Sequence, residues 1–180
     1  MKTPVTVRLV STDDANDFVA AARRSRALHQ PWTRAPASAA ACARYLAACD
    51  GQQNVGLVVC HAHSGALVGV INITNIVRGV FKSAYLGYYA FIDWQGQGLM
   101  KAGLRQAVRY AFTYLGLHRL EANIQPGNEA SIGLARSCGF VREGYSPAYL
   151  KIGGRWRDHE RWAIVRGARH ALQPQASADD

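Results

Sequence analysis

The 180-residue chain has no apolar run approaching the roughly 18 to 20 residues that span a bilayer, although 49% of it is hydrophobic. That excludes an ordinary transmembrane helix, and the length suits one domain with a buried core better than two. The four cysteines, Cys42, Cys49, Cys60 and Cys138, lack the paired CxxC spacing of a zinc or redox motif. Their apolar surroundings suit reduced, buried thiols. In Cys60-His61-Ala62-His63 potential metal ligands alternate, but with Ser64-Gly65 next the segment also reads as a hairpin edge, and no metal is expected. Internal repeats are absent. Met1-Lys2-Thr3-Pro4 leads straight into a β-like run, so the expectation is no signal peptide, no membrane and a cytoplasmic location. Acidic residues are scarce, 12 against 21 Lys and Arg, a net charge of +9. Such a surface either attracts an acidic partner, a phosphate group or RNA for example, or is simply solvated.

What the chain does have is Asp93-Trp94-Gln95-Gly96-Gln97-Gly98-Leu99-Met100-Lys101, between a strand-like and a helix-like segment. Residues 83–92 (SAYLGYYAFI) carry the aromatic and β-branched side chains of a strand. Met100, Leu104, Ala107, Val108, Ala111 and Leu115 recur at helical spacing, and Gly116 reads as the stop. Glycines at such a junction let the backbone approach a ligand, and the following helix offers free N–H groups and a positive dipole end to a phosphate. A dinucleotide fingerprint needs a third glycine where Lys101 stands, although Glu121 lies at a tolerable distance for a ribose contact. A Walker-type loop needs Gly-Lys-Ser/Thr, which does not follow these glycines.

Strands are expected at 5–10, 55–61, 67–76 and 82–92, with helices starting at Thr12-Asp13-Asp14 and spanning about 38–49. Arg23, Arg24 and Arg26 would close the first helix, as a solvated end or as an RNA contact. Residues 118–131 read as a strand, a Pro-Gly turn and a helix capped by Asn128, with Gly139 ending that helix. From about residue 167 the composition loses its apolar period, so the expectation is one domain over 1–166 and a disordered tail over 167–180.

The glycine segment resembles the acyl-CoA loop of the GNAT acetyltransferases, whose pattern is Arg/Gln, two variable residues, Gly, one variable residue, then Gly/Ala. Gln95, Gly96 and Gly98 match, and Met100 stands where a small residue is common. Asn128 three residues before Ser131 is similar to the family's opening of the helix beside the cofactor thiol. Gly139 to Tyr145, Gly153 to Glu160 (GGRWRDHE) and Pro31-Trp32 resemble the Rim-type ribosomal-protein-alanine N-acetyltransferases, closest to the RimJ-like group. The resemblance implies an α/β domain of α+β type, the GNAT fold. That is a central mixed, mostly antiparallel sheet of about seven strands with about four helices and a splay between the fourth and fifth strands.

It also implies the chemistry. Acetyl-CoA is the co-substrate and an N-terminal alanine amine, that of a ribosomal protein, the acceptor, attacked directly in a ternary complex. An α-amino group has a pKa near 8, so roughly a tenth of it is already nucleophilic at pH 7. By the family pattern the backbone of Ala90, Phe91 and Ile92 pairs with the pantetheine, and one N–H polarises the thioester oxygen. The pyrophosphate sits on the amides of Gln95, Gly96, Gln97, Gly98, Leu99 and Met100. Ser131 protonates the departing thiolate, or is simply a first-turn hydroxyl; Asn128 orients the loop, or caps the helix, or both. Tyr149, with Tyr145 beside it, stands where many relatives keep an acid tyrosine. Tyr85 replaces a glutamate that several relatives carry, which leaves Glu121 as the candidate base, with Asp93, Asp158 and His159 in reserve; Asp158 is expected to order the last hairpin through nearby arginines. The alternatives are a small-molecule amine acceptor, such as a polyamine or an antibiotic, and a non-catalytic CoA- or RNA-binding module on the ribosome.

Overall fold

The computed structural model describes residues 4–167. The first three residues and all of the expected tail beyond Gly167 lie outside them. The described chain runs β1 (Val5–Leu9), α1 (Ala15–Arg24), α2 (Arg26–His29), α3 (Ala39–Ala48), β2 (Val55–His61), β3 (Leu67–Val77), β4 (Ser83–Ala90), α4 (Leu99–Thr113), β5 (Arg119–Ile124), α5 (Glu129–Ser137), β6 (Val141–Ile152) and β7 (Arg155–Val165). The strands form one seven-stranded sheet in the order β1-β2-β3-β4-β5-β7-β6. Every neighbouring pair is antiparallel except β4 and β5.

The expected mixed sheet is present, with five α-helices among the described residues where about four are expected. The extra one is α2, a single turn. Ser25 ends α1 by turning its hydroxyl back onto the Ala21 carbonyl at 2.7 Å, so Arg26 opens a new turn instead of closing the old one. The second departure is the end of β4. The sequence pattern continues to Ile92, but the strand stops at Ala90 and Ile92–Trp94 form a 3-10 turn.

Helices cover both faces of the sheet, which is why β2 is buried nearly throughout instead of alternating. On one face Leu104, Ala107 and Ala111 of α4 and Ile132 and Ala135 of α5 pack with Val59, Ile71, Leu120 and Ala122. On the other, Phe18 and Ala22 of α1 and Cys42 of α3 pack with Val58, Val70 and Phe91. Phe18 and Phe91 meet edge to face with centroids 5.8 Å apart. Among the described residues no helix is long and apolar enough to cross a membrane.

One glycine sets how closely α4 sits on the sheet. A Cβ at Gly69 would lie 2.6 Å from the Tyr89 carbonyl oxygen and 2.5 Å from the Met100 sulfur. The bare backbone thus makes room for a methionine in the first turn of α4, the position where a smaller residue is common in the resembled family. Gly69→Ala is expected to lower the unfolding free energy by about 1–3 kcal/mol, the cost of overpacking a site where backbone must move, as read by urea denaturation.

At the N-terminal end, Asp14 is 7% exposed. It accepts from the Ser11 amide at 2.8 Å and pairs with Arg8 at 2.6 Å, tying β1 to the start of α1. The Arg8 guanidinium, and then the Ser11 amide, hold its carboxyl below the usual carboxylate range against the opposing effect of burial. A depressed folded-state pKa contributes stability that is complete above the unfolded value, about pH 4, and is lost as pH falls through the folded value. Asp14→Asn is therefore expected to cost about 1 kcal/mol at pH 7, Arg8 being half exposed, with the gap to wild type closing below about pH 4 in pH-dependent thermal melts.

Candidate active site

β4 and β5 touch through only three residue pairs, Ser83 with Arg119, Ala84 with Leu120 and Tyr85 with Glu121. Beyond them β4 stays with β3 as far as Ala90, while β5 stays with β7 as far as Ile124, and a gap opens between the two halves of the sheet. Three bonds hold the free end of β4 on its own side. The Phe91 amide donates to the Val68 carbonyl at 2.8 Å, and the Ile92 amide donates to the Ser25 hydroxyl at 2.9 Å. The His29 Nε2, which must carry the hydrogen because a carbonyl only accepts, donates to Ala90 O at 2.8 Å. Antiparallel alternation then turns the Tyr88 and Ala90 amides away from β3 and into the gap.

The loop after β4 bends through two left-handed glycines, Gly96 at φ 74° and Gly98 at φ 72°, conformations that a side chain strains. A Cβ on either would meet nothing within 4 Å, so the concave side of the bend is open. The amides from Gly96 to Lys101 have no intramolecular acceptor among the described residues; the first amide bonded after the bend is that of Ala102, to Gly98 O at 3.3 Å. A row of free donors on the N-terminal end of a 15-residue helix is a site for a phosphate or another anion. Below the bend, Asp93 is paired with Arg24 at 2.7 Å and its carbonyl accepts from the Gln97 side chain at 3.3 Å.

A cavity of about 830 Å³ runs from this loop through the gap between β4 and β5 to the opposite face of the sheet. Of the residues expected to bind a cofactor, Ala90, Gln95, Gly96, Gly98, Met100, Asn128 and Ser131 line it, whereas Phe91, Ile92, Gln97 and Leu99 do not. Phe91 is buried in the α1 and α3 core, Leu99 is buried in the core on the α4 side of the sheet, and the Ile92 amide is spent on Ser25. Asn128 caps α5, its Oδ1 accepting from the Ser131 amide at 3.2 Å. The Tyr88 hydroxyl crosses the gap to donate to Ser131 O at 2.9 Å, which sets the Ser131 side chain beside that phenol.

The remaining candidates divide by sheet face. Leu120, Ala122 and Ile124 of β5 point to the α5 side, so Glu121 and Asn123 point to the other. Glu121 does not reach the cavity, and Arg119 takes its carboxylate at 2.7 Å, where the two strands are still paired. Tyr149 also stays off the cavity wall. Its hydroxyl meets Tyr85, and its ring packs edge-on to His159 with centroids 6.1 Å apart. Asp158 orders the last hairpin, but through the Tyr145 hydroxyl and the Ala148 amide, at 2.8 Å for the latter, and not through arginines. Ala148 is held there at φ 46°, which explains why the strand needs that anchor.

His159, held only in reserve by the sequence, does line the cavity, as do Asn123, His29 and Trp32. Trp32 is pinned there by Gln125, whose Nε2 donates to Trp32 O at 3.2 Å. His61 ends β2 and stacks on Trp94 at 4.9 Å, with its Nδ1 on Ser64 at 3.0 Å, as a hairpin edge does. Among the described residues no group of three His, Cys, Asp or Glu side chains could hold a metal ion.

The model of the acetyltransferase (GNAT) domain matches residues 5–141, more than half of the chain. The chain belongs to the GNAT acetyltransferase domain family. It is 46% identical over 99 residues to the [ribosomal protein uS5]-alanine N-acetyltransferase of Escherichia coli, covering 55% of this chain and 51% of that protein. It is 29% identical over 100 residues to a spermidine N(1)-acetyltransferase of Vibrio cholerae, covering 56% of this chain and 57% of that one. The chain thus spans about half the length of these curated relatives. Mycobacterium smegmatis RimJ, solved in complex with CoA-disulfide, superimposes with a TM-score of 0.81 at 27% identity over 90% of this chain and 82% of that one. The opened sheet of this GNAT domain depends on α1 and α2, and Ser25→Ala tests the dependence. Losing the buried acceptor of the Ile92 amide is expected to cost about 1–2 kcal/mol and to speed hydrogen exchange at Ile92 beyond the change at amides deep in β3, as followed by NMR.

Proposed function

We propose that this protein is an acetyl-CoA-dependent N-acetyltransferase acting on a protein N-terminal amine, that of an alanine of a ribosomal protein. The observation that carries this reading is one continuous cavity with a row of free amides at one mouth and an uncharged recess at the other. The residues suit the cofactor: the bend at Gly96 and Gly98 is open where a diphosphate would sit, and the Ala90 and Tyr88 amides face the gap that a pantetheine would thread. Acetyl-CoA supplies an acetyl group activated as a thioester. The chain's own part is to hold the two reactants in line and to place dipoles where charge develops. The amides of residues 96–101 would bind anionic charge, the Ala90 N–H would polarise the thioester oxygen, and the Ser131 hydroxyl would donate to the departing thiolate. Asn128 keeps the turn that carries Ser131 in place.

Two observations favour a peptide terminus over a polyamine. Among the described residues no Asp or Glu lines the cavity, so a ligand bearing several ammonium groups would find no counter-charge there. The far mouth is walled by Trp32, Leu150 and Ile152, apolar surface suited to a short side chain beside a single amine. The net charge of +9 suits work beside ribosomal RNA in the cytoplasm, and ribosomal acceptors are what the E. coli relative is named for.

The test is direct. Purified protein incubated with acetyl-CoA and peptides beginning with Ala, Ser or Met is expected to add one acetyl group to the Ala peptide fastest, by mass spectrometry, and spermidine should react poorly. Gly98→Asp should lose acetyl-CoA affinity by more than about 100-fold in calorimetry, because a carboxylate enters the anion seat and the left-handed backbone is strained. No acetylated product from any amine would favour a non-catalytic binding module.

A further inference from the structure

The far side of the cavity holds two side chains, His159 and Asn123, each with a polar atom that has no partner among the described residues. His159 is 3% exposed, and its Nδ1 lies 2.9 Å from the Arg157 carbonyl. A carbonyl oxygen only accepts, so Nδ1 carries the hydrogen and Nε2 is left as a bare lone pair. Burial pushes the imidazole below its ordinary range, against the effects of the Arg157 carbonyl and Asp158, so the ring is neutral at pH 7. Tyr149, edge-on to the ring from β6, is the ionisable side chain packed against it.

Asn123 is the second member. Its Oδ1 is buried and has no partner among the described residues. A buried acceptor left unpaired costs free energy, and such an atom in a cavity wall marks where a donor is meant to come. Asn123 pairs with Arg161, so His159, two residues along β7, is its diagonal neighbour on the same face. That face carries Gly87 across the gap on β4, where a missing side chain leaves the floor open.

Resting on the acetyl-transfer reading above, we propose that His159 is the proton acceptor of the reaction and Asn123 the group that orients the acceptor amine. The amine nitrogen donates one N–H to Asn123 Oδ1 while its lone pair forms the new N–C bond. The C–S bond breaks with its electron pair leaving on sulfur, and the proton shed by nitrogen passes to His159 Nε2. The imidazolium then returns that proton to solvent. Glu121 cannot take this part from where it stands, since it lies off the cavity and is bound to Arg119.

The test compares wild type with His159→Asn, whose side-chain amide can still donate to the Arg157 carbonyl but accepts no proton. With the fold checked by thermal melting, the variant is expected to keep its acetyl-CoA affinity in calorimetry. It should lose about 100-fold or more in kcat for an Ala-initiated peptide, with KM little changed. Asn123→Ala should raise KM for the peptide. Long-range 15N NMR of the wild-type imidazole supplies a readout independent of turnover and of whether the variant folds, and is expected to find neutral His159 protonated on Nδ1. Activity of His159→Asn within threefold of wild type, or a cationic or Nε2-protonated resting ring at pH 7.5, overturns the assignment. Wild type that acetylates no amine would sink the acetyl-transfer reading and this one with it. A wild type that is active beside an equally active variant sinks this one alone.

Discussion

A strand edge with unpaired amides ordinarily finds another strand, and here β4 is prevented from doing so. Ser25 and His29, at the two ends of α2, take the Ile92 amide and the Ala90 carbonyl, so these two groups are satisfied without β5. The sheet can then stand open in its middle while remaining continuous at the base, where β4 and β5 meet over three pairs. The cavity, the direction in which the Ala90 and Tyr88 amides point and the reach of Tyr88 across to α5 all depend on that separation. Burial makes the bonds worth more than surface contacts, since both Ser25 and His29 are almost inaccessible to water.

Around the opening the molecule divides its labour by face. The α4 and α5 side supplies free amides, two left-handed glycines, the Asn128 cap and the Ser131 hydroxyl, a set suited to anionic and polar parts of a ligand. The opposite side supplies Asn123, His159 and the apolar wall of Trp32, Leu150 and Ile152. Tyr89 lines that wall too, and its hydroxyl is the other buried side-chain atom without a partner among the described residues. Burial keeps that phenol protonated, as it does Tyr88. The gap in the sheet is where these two environments meet.

Ion pairs elsewhere brace the fold. Arg119 bridges Glu121 at 2.7 Å and reaches Glu143, joining β5 to the start of β6 beside the last paired residues before the gap. Arg23 donates to the Ala37 carbonyl at 2.9 Å and Arg24 pairs with Asp93, so these residues of the basic end of α1 hold loops in place. The aromatic run of β4 is likewise shared, Tyr88 toward α5 and Tyr89 toward His29 and Phe91.

The glycine bend and its helix, the Asn128 cap and most strand bounds are legible in the sequence, because each depends on residues within a few positions: left-handed φ at Gly96 and Gly98, an Asx cap, a 3.6-residue apolar period. The same locality supports the family resemblance, which rests on short motifs. Which groups are consumed by the fold is not local. The Ile92 amide is engaged by a serine 67 residues away and Ala90 O by a histidine 61 residues away, so no spacing rule could have shown that these two groups already have partners. Likewise the face on which β5 presents Glu121 and Asn123 follows from where α4 and α5 pack. The sequence by itself determined the turn chemistry and the apolar periods, since these are energies of neighbouring residues. Only the tertiary structure decided that Glu121 is spent on Arg119 while His159 lies open to the cavity, because that depends on which distant side chains meet.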